Sequence, residues 1–169
     1  MCSILGIFDL SAGTDLSALR SLALAQSAKQ RHRGPDWSGV YTDPGAVLVH
    51  ERLAIVDPAG GAQPLRSADG RLALAVNGEI YNHRELERDL KTPYEFQTGS
   101  DCEVINALYA QEGAAFLSKL NGIYAFCLWD SEQKTYLIAR DPLGVCPLYQ
   151  GRDSQGRLWI ASEMKSLVD

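Results

Sequence analysis

Apolar and polar positions along the chain follow two different periods, one for strands and one for helices. Residues 4–10 are almost continuously apolar, as in a buried strand, and end at the turn signal Ser11-Ala12-Gly13. Leu16, Leu19, Leu22, Ala23 and Ala28 then recur at helical spacing, with Thr14 or Asp15 placed to cap the first turn. Pro35 biases Gly34 away from helical backbone, so residues 31–39 read as a polar connecting loop. Residues 40–42 and 46–50 predict two short strands about Asp43-Pro44-Gly45, and residues 51–57 lead into a break at 58–64. Residues 71–76 predict a strand that stops at the tight-turn pair Asn77-Gly78.

In the second half, Asn82 with Glu85 and Ser100 with Glu103 have capping-box spacing. They predict a short helix to Leu90 and a longer one through Val104, Ile105, Leu108 and Tyr109 that stops at Gly113. A short helix over 115–120 and a hairpin of strands 122–129 and 135–139 follow. Tyr149 and residues 158–161 predict two more strands, and residues 163–168 a final helical segment. Helices set among short strands and tight turns argue for antiparallel sheet with helices outside, an α+β domain.

Composition narrows the function classes. A chain of 169 residues is expected to form one domain, with 46% apolar and 22% charged residues as in ordinary globular proteins. The net charge is −5, and no basic run interrupts the sequence, so nucleic acid is not expected as a partner. No apolar run approaches the ~20 residues that span a bilayer, and the N-terminus has no export-signal pattern, so the expectation is no membrane and a cytoplasmic location. The four cysteines, Cys2, Cys102, Cys127 and Cys146, show no CxxC spacing, and the three histidines are scattered, so no metal site is expected.

Cys2 is the candidate for chemistry. Initiator methionine is normally trimmed before a small residue, which would leave Cys2 with both a thiol and a free α-amine. An α-amine titrates near pH ~7.7–8.0, so part of it is unprotonated at neutral pH and can take the thiol proton. Alternatively, a cysteine at the second position simply begins a strand.

Six segments in order change that balance: Cys2-Ser3-Ile4-Leu5-Gly6, Arg31-His32-Arg33-Gly34-Pro35-Asp36, His50 through Asp57, Asn77-Gly78-Glu79-Ile80-Tyr81-Asn82, Gly99-Ser100-Asp101 and Arg140-Asp141-Pro142-Leu143-Gly144. Together they resemble the class II glutamine amidotransferase domain, within which the likeness is to the N-terminal domain of glutamine-hydrolysing asparagine synthetases. The resemblance covers residues 1–169 as one glutaminase domain. It implies the N-terminal-nucleophile hydrolase fold, an αββα sandwich of two antiparallel sheets between helical layers. It also implies hydrolysis of the glutamine side-chain amide to glutamate and ammonia through a Cys2 γ-glutamyl thioester, with ammonia passed to a synthetase domain or subunit.

In that reading Cys2 is the nucleophile, and Asn77 and Gly78 stabilise the oxyanion. Arg52 holds the α-carboxylate of L-glutamine and Asp101 its α-ammonium. Leu53, Ala54, Ile55, Val56 and Glu79 line the pocket along with Asn77 and Gly78, and the loop at Arg33 supports the nucleophile. Read singly, Arg52 is a surface ion-pair residue, Asp101 a helix cap and Asn77-Gly78 a hairpin turn; only the joint pattern makes them functional. Cys102 is the rival nucleophile, with no base in sequence reach. Cys127 and Cys146 read as core thiols. His32, His50 or His83 could pair with a cysteine, although no papain-type motif surrounds one.

The resemblance implies no metal and no cofactor in this domain, because ATP and Mg belong to the synthetase domain. That domain's Ser-Gly-Gly-x-Asp loop has no counterpart here. An excised domain and a stand-alone glutaminase or partner subunit both fit, as does a homodimer. Two rival functions are a non-catalytic glutamine-binding or assembly module of the same fold, and an N-terminal-nucleophile hydrolase acting on other amides.

Overall fold

The computed structural model describes residues 1–167. Strands β1 (Ser3–Phe8), β2 (Trp37–Thr42), β3 (Val47–Arg52), β8 (Tyr149–Arg152) and β9 (Leu158–Ala161) form one antiparallel sheet, in the order β2-β3-β1-β9-β8. Strands β4 (Leu65–Arg66), β5 (Leu72–Ile80), β6 (Gly122–Asp130) and β7 (Thr135–Arg140) form the other, in the order β4-β5-β6-β7. Helix α1 (Leu16–Ala28) packs on the outer face of the first sheet. Helices α2 (His83–Arg88) and α3 (Val104–Glu112), with a 3₁₀ stretch at Gly113–Lys119, cover the outer face of the second. The fold is therefore the α+β sandwich that the resemblance implied.

Strand alternation builds three apolar layers from this order. Ile4 and Phe8 of β1 face inward and meet Ala46, Leu48, Ala73, Ala75, Cys127 and Trp129 between the sheets. Leu5 and Ile7 point the other way, with Val47 and Val49, onto Leu19 and Ala23 of α1. On β5, Leu72, Leu74, Val76 and Ile80 take the outer face against Val104, Ile105 and Leu108. The unbroken apolar run at the start of the chain is thus a strand buried on both faces. Small side chains keep the sheets close: a Cβ at Gly6 would lie 2.9 Å from the Phe8 ring and 3.2 Å from Cys127 Sγ.

Most elements fall where their periodicity placed them, and the exceptions have local causes. Asp15 is the cap of α1, accepting the Ser17 and Ala18 N–H groups at 3.0 Å each. Asn82 does not cap α2, because its side chain bridges the Lys119 carbonyl and the Asn121 N–H. Ser100 caps a 3₁₀ turn at Asp101–Glu103 rather than α3 itself, while Glu103 accepts the Gln97 and Thr98 N–H groups. The break at 58–64 runs into the two-residue strand β4. The final helical segment is a 3₁₀ turn at Met164–Ser166, and Val168 lies outside the described residues.

The main correction concerns Asn77-Gly78. The pair is not a turn: β5 continues to Ile80, with Asn77 opposite Ala125 and Gly78 opposite Tyr124. Nine consecutive pairings with β6 outweigh the local turn preference of two residues. Glycine is nevertheless required, since φ is +150° and a Cβ there would collide with the Ile123 carbonyl.

Candidate active site

The inward-facing rows of the two sheets turn polar at one end of the sandwich. The row of Ile4 begins two residues earlier at Cys2, the row of Leu48 continues through His50 to Arg52, and the row of Ala73 and Ala75 continues to Asn77. There the sheets open into a cleft. Cys2, Arg52, Leu53, Ile55, Val56, Asn77, Gly78, Glu79 and Asp101 all line it. Ala54 does not: it is turned to the loop beside it, where its N–H donates to Asp36 Oδ2 at 2.9 Å.

Cys2 is held from both sides. Its thiol donates to the Leu53 carbonyl at 3.5 Å and accepts the Leu53 N–H at 3.3 Å. Its carbonyl takes Arg33 Nε–H at 3.1 Å, and Arg33 in turn pairs with Glu163 at 3.3 Å. The other three thiols are buried, and burial raises the pKa of each. Cys146 is pushed up to about 11. Cys102 stands in the cleft wall, its thiol 3.6 Å from the Gly78 carbonyl and 3.7 Å from Asp101 Oδ2. Burial and then the Asp101 charge keep it protonated, so it is no competing nucleophile.

None of the histidines bonds the Cys2 thiol. His32 contacts Glu163 at 3.0 Å and His83 contacts Glu87 at 3.1 Å. His50 is fully buried, its Nε2 donating to the Val76 carbonyl at 3.0 Å, and burial lowers its pKa to about 4.

Asn77 is 1% exposed, and neither atom of its side-chain amide has a hydrogen-bond partner among the described residues. A buried amide left unpaired costs ~1–3 kcal/mol, so the protein keeps this group ready for something else. The backbone beside it is equally open. N–H groups two residues apart leave a strand on the same edge. Val76 N–H is taken by Gln63 Oε1 at 2.8 Å and Ile80 N–H by Asp101 Oδ2 at 2.7 Å. Gly78 N–H leaves β5 between those two, beside the Asn77 amide.

Two charges flank this point. Arg52, 7% exposed, has no carboxylate within salt-bridge distance among the described residues; its guanidinium donates instead to the carbonyls of Val56, Asp57 and Pro58. Three of its five N–H donors are thereby used, leaving two. Asp101 uses Oδ2 for Ile80 and the Cys102 thiol, and Oδ1 has no hydrogen bond among the described residues. A thiol, two neighbouring N–H donors, a cation without a carboxylate partner and an open carboxylate oxygen among the described residues thus share one cleft. No group of three or more His, Cys, Asp or Glu side chains among the described residues could hold a metal.

Gly61, Gln63 and Ile123, which carried no sequence signal, also line the cleft, as do Ser100, read as part of the Gly99-Ser100-Asp101 segment, and Cys102, read as the rival nucleophile.

The sequence profile of the glutamine amidotransferase domain matches residues 1–169. Asparagine synthetase B [glutamine-hydrolyzing] of Escherichia coli (strain K12) is 56% identical over 168 residues, covering 99% of this chain and 30% of its own length. Asparagine synthetase [glutamine-hydrolyzing] of Zea mays is 48% identical over 172 residues, covering 100% and 28% respectively. A probable asparagine synthetase [glutamine-hydrolyzing] of Dictyostelium discoideum is 47% identical over 171 residues, with 100% and 30% covered. The chain therefore spans less than a third of the length of the curated relatives it matches.

Proposed function

The chain belongs to the glutamine amidotransferase domain family, and from that premise we propose that it hydrolyses the side-chain amide of L-glutamine with Cys2 as nucleophile. The observation that carries the reading is the unpartnered Asn77 amide, buried in the same cleft as the Cys2 thiol. Removal of Met1 frees the Cys2 α-amine, which takes the thiol proton. The thiolate attacks the δ-carbonyl carbon, forming a C–S bond and an oxyanion that meets Asn77 Nδ2–H and Gly78 N–H. The C–N bond then breaks, and ammonia leaves with the proton returned by the amine. Water, giving a proton to the same amine, hydrolyses the γ-glutamyl thioester to glutamate and restores the thiol.

Arg52 and Asp101 bind the end of glutamine that does not react. A planar guanidinium with two spare donors suits the α-carboxylate, and the open Asp101 oxygen suits the α-ammonium. Arg33, through the Cys2 carbonyl, holds the nucleophile in place. The ammonia is delivered to a synthetase domain of the asparagine-forming kind, in keeping with the names of the relatives. Four free thiols fit a reducing cytoplasm, and a net charge of −5 argues against nucleic acid as a partner.

Glutamate release from glutamine, by protein whose N-terminus is verified by intact mass, tests the assignment. Cys2→Ala is expected to abolish turnover while retaining the fold and glutamine binding, since only one sulfur is removed. Turnover that survives this substitution, or faster hydrolysis of another amide by the unaltered protein, would overturn the reading.

A further inference from the structure

Asp57 lies on the loop between β3 and β4, in left-handed backbone at φ +46°. Aspartate and asparagine are among the few non-glycine residues that tolerate this region. Its two carboxylate oxygens serve two different walls of the cleft. Oδ1 accepts the Gly60 N–H at 3.0 Å, closing its own loop. Oδ2 reaches across to the Gly99 N–H at 2.9 Å, and Gly99 leads through Ser100 into Asp101. The Asp57 carbonyl, with those of Val56 and Pro58, holds the Arg52 guanidinium.

Glycines leave the space these contacts need. A Cβ at Gly60 would lie 2.6 Å from Asp57 Oδ2, and one at Gly61 would lie 2.9 Å from Arg52 Nη2 and 3.1 Å from the Asp57 carbonyl. One residue therefore ties the carbonyl cradle of Arg52 to the loop that leads into Asp101.

We propose that Asp57 is a positioning residue that fixes the spacing between the Arg52 guanidinium and the Asp101 carboxylate, and so selects amides bearing both an α-carboxylate and an α-ammonium. The inference rests on the glutamine reading above and adds the basis of its selectivity. In glutamine both charges sit on one carbon, so their two partners must be correctly placed at the same moment. The 56–58 loop that holds the Arg52 side chain at the end of β3 and the Gly99 loop that leads into Asp101 are separated in sequence, and each charge could be bound without the other. Binding both in one pose requires that the loops not move independently. A misplacement of about 1 Å can cost on the order of 100-fold in rate even when the chemistry is untouched.

The test compares kcat/KM for L-glutamine, glutaramate (which lacks the α-ammonium) and 4-aminobutanamide (which lacks the α-carboxylate). Asp57→Asn suits the backbone but presents an amide NH2 to one of the two N–H groups. In this variant the advantage of glutamine over each single-charge amide should fall about 10- to 100-fold, mainly through KM. Turnover of the single-charge amides should change little. Gly60→Ala, which displaces the carboxylate without altering charge, should shift the same ratio in a protein whose thermal melt remains cooperative.

An equal fall on all three amides would mark Asp57 as merely structural and overturn the inference, as would an unchanged ratio in both variants. Failure of the unaltered protein to hydrolyse glutamine would overturn the glutamine reading and this inference with it. Wild-type turnover with unmoved ratios would overturn the inference alone.

Discussion

The layer between the two sheets has two ends, and they treat polar groups in opposite ways. At one end Phe8 stacks on Tyr136 with ring centroids 4.5 Å apart, and Trp129 closes the row. One carboxylate there, Asp43, is fully used: Trp129 Nε1–H, the Tyr41 hydroxyl and the Gly45 and Ala46 N–H groups all donate to it, at 2.7–2.9 Å. Tyr41 is pushed up to about 12 by burial and by this bond. At the other end the same rows finish in Cys2, Arg52 and Asn77, and there, among the described residues, the Asn77 amide is unpaired and Arg52 has no carboxylate partner. The first end stabilises the sandwich; the second leaves its hydrogen-bonding capacity for a ligand. Evenly satisfied polar groups would have given a more stable protein with nothing to offer a substrate.

The largest effect should come from breaking the end whose Asp43 carboxylate is fully used. Trp129 is 5% exposed, and its indole packs against Gly45, where a Cβ could not be accommodated. Trp129→Ala is expected to cost about 3–5 kcal/mol of stability, read in chemical denaturation, while leaving KM for glutamine unchanged in the folded protein. A large change in KM with little loss of stability would erase the distinction between the ends.

Asn77→Ala should act in the opposite sense. Its amide stabilises nothing in the resting protein, so the melt should hold or rise. The oxyanion, by contrast, loses a donor, and kcat should fall about 10²–10³-fold with a modest change in KM. An effect confined to KM would remove Asn77 from the oxyanion site.

His50 lies between the two ends and makes the contrast dependent on pH. Burial holds its folded-state pKa at about 4, below the ordinary 6.5. Above pH 6.5 the ring is neutral whether the chain is folded or not, and stability is unaffected. As pH falls from 6.5 towards 4 the unfolded chain takes up a proton that the folded protein refuses, so stability declines. The full loss is about 3 kcal/mol at ~1.4 kcal/mol per unit. Unfolding curves across this range should show the decline in the wild type and a flatter profile in His50→Gln. Parallel profiles would assign the acid sensitivity to other groups.

The smallest effect belongs to the charges that bind without reacting. On the proposed roles, Arg52→Ala or Asp101→Ala should remove a charge-assisted hydrogen bond to glutamine, worth roughly 1.5–3 kcal/mol or about 10- to 150-fold in kcat/KM. Because these contacts exist before and during the reaction, the change should appear mainly as raised KM. A fall in kcat alone would place Arg52 or Asp101 in the chemistry instead.

Much of this architecture follows from the sequence because its causes are local. The stripe from Leu16 to Ala28, with an aspartate before it, fixes α1, and the alternation of Ile4, Leu5, Ile7 and Phe8 fixes a strand with two buried faces. Even the polar end of the first inner row can be counted two residues back, from Ile4 to Cys2. What the sequence could not settle depends on partners far along the chain. Asn77-Gly78 carries every local mark of a turn, yet nine pairings with β6, which begins 44 residues after Gly78 at Gly122, keep it in a strand. Gln63 became part of the site only because folding brought its side chain to Val76 N–H. Asp57 links Arg52 to the Gly99 loop only because the chain between them returns to the same cleft. Period and capping are properties of neighbouring residues, whereas an unpaired amide or an unmatched guanidinium is defined by what the rest of the molecule fails to bring near it.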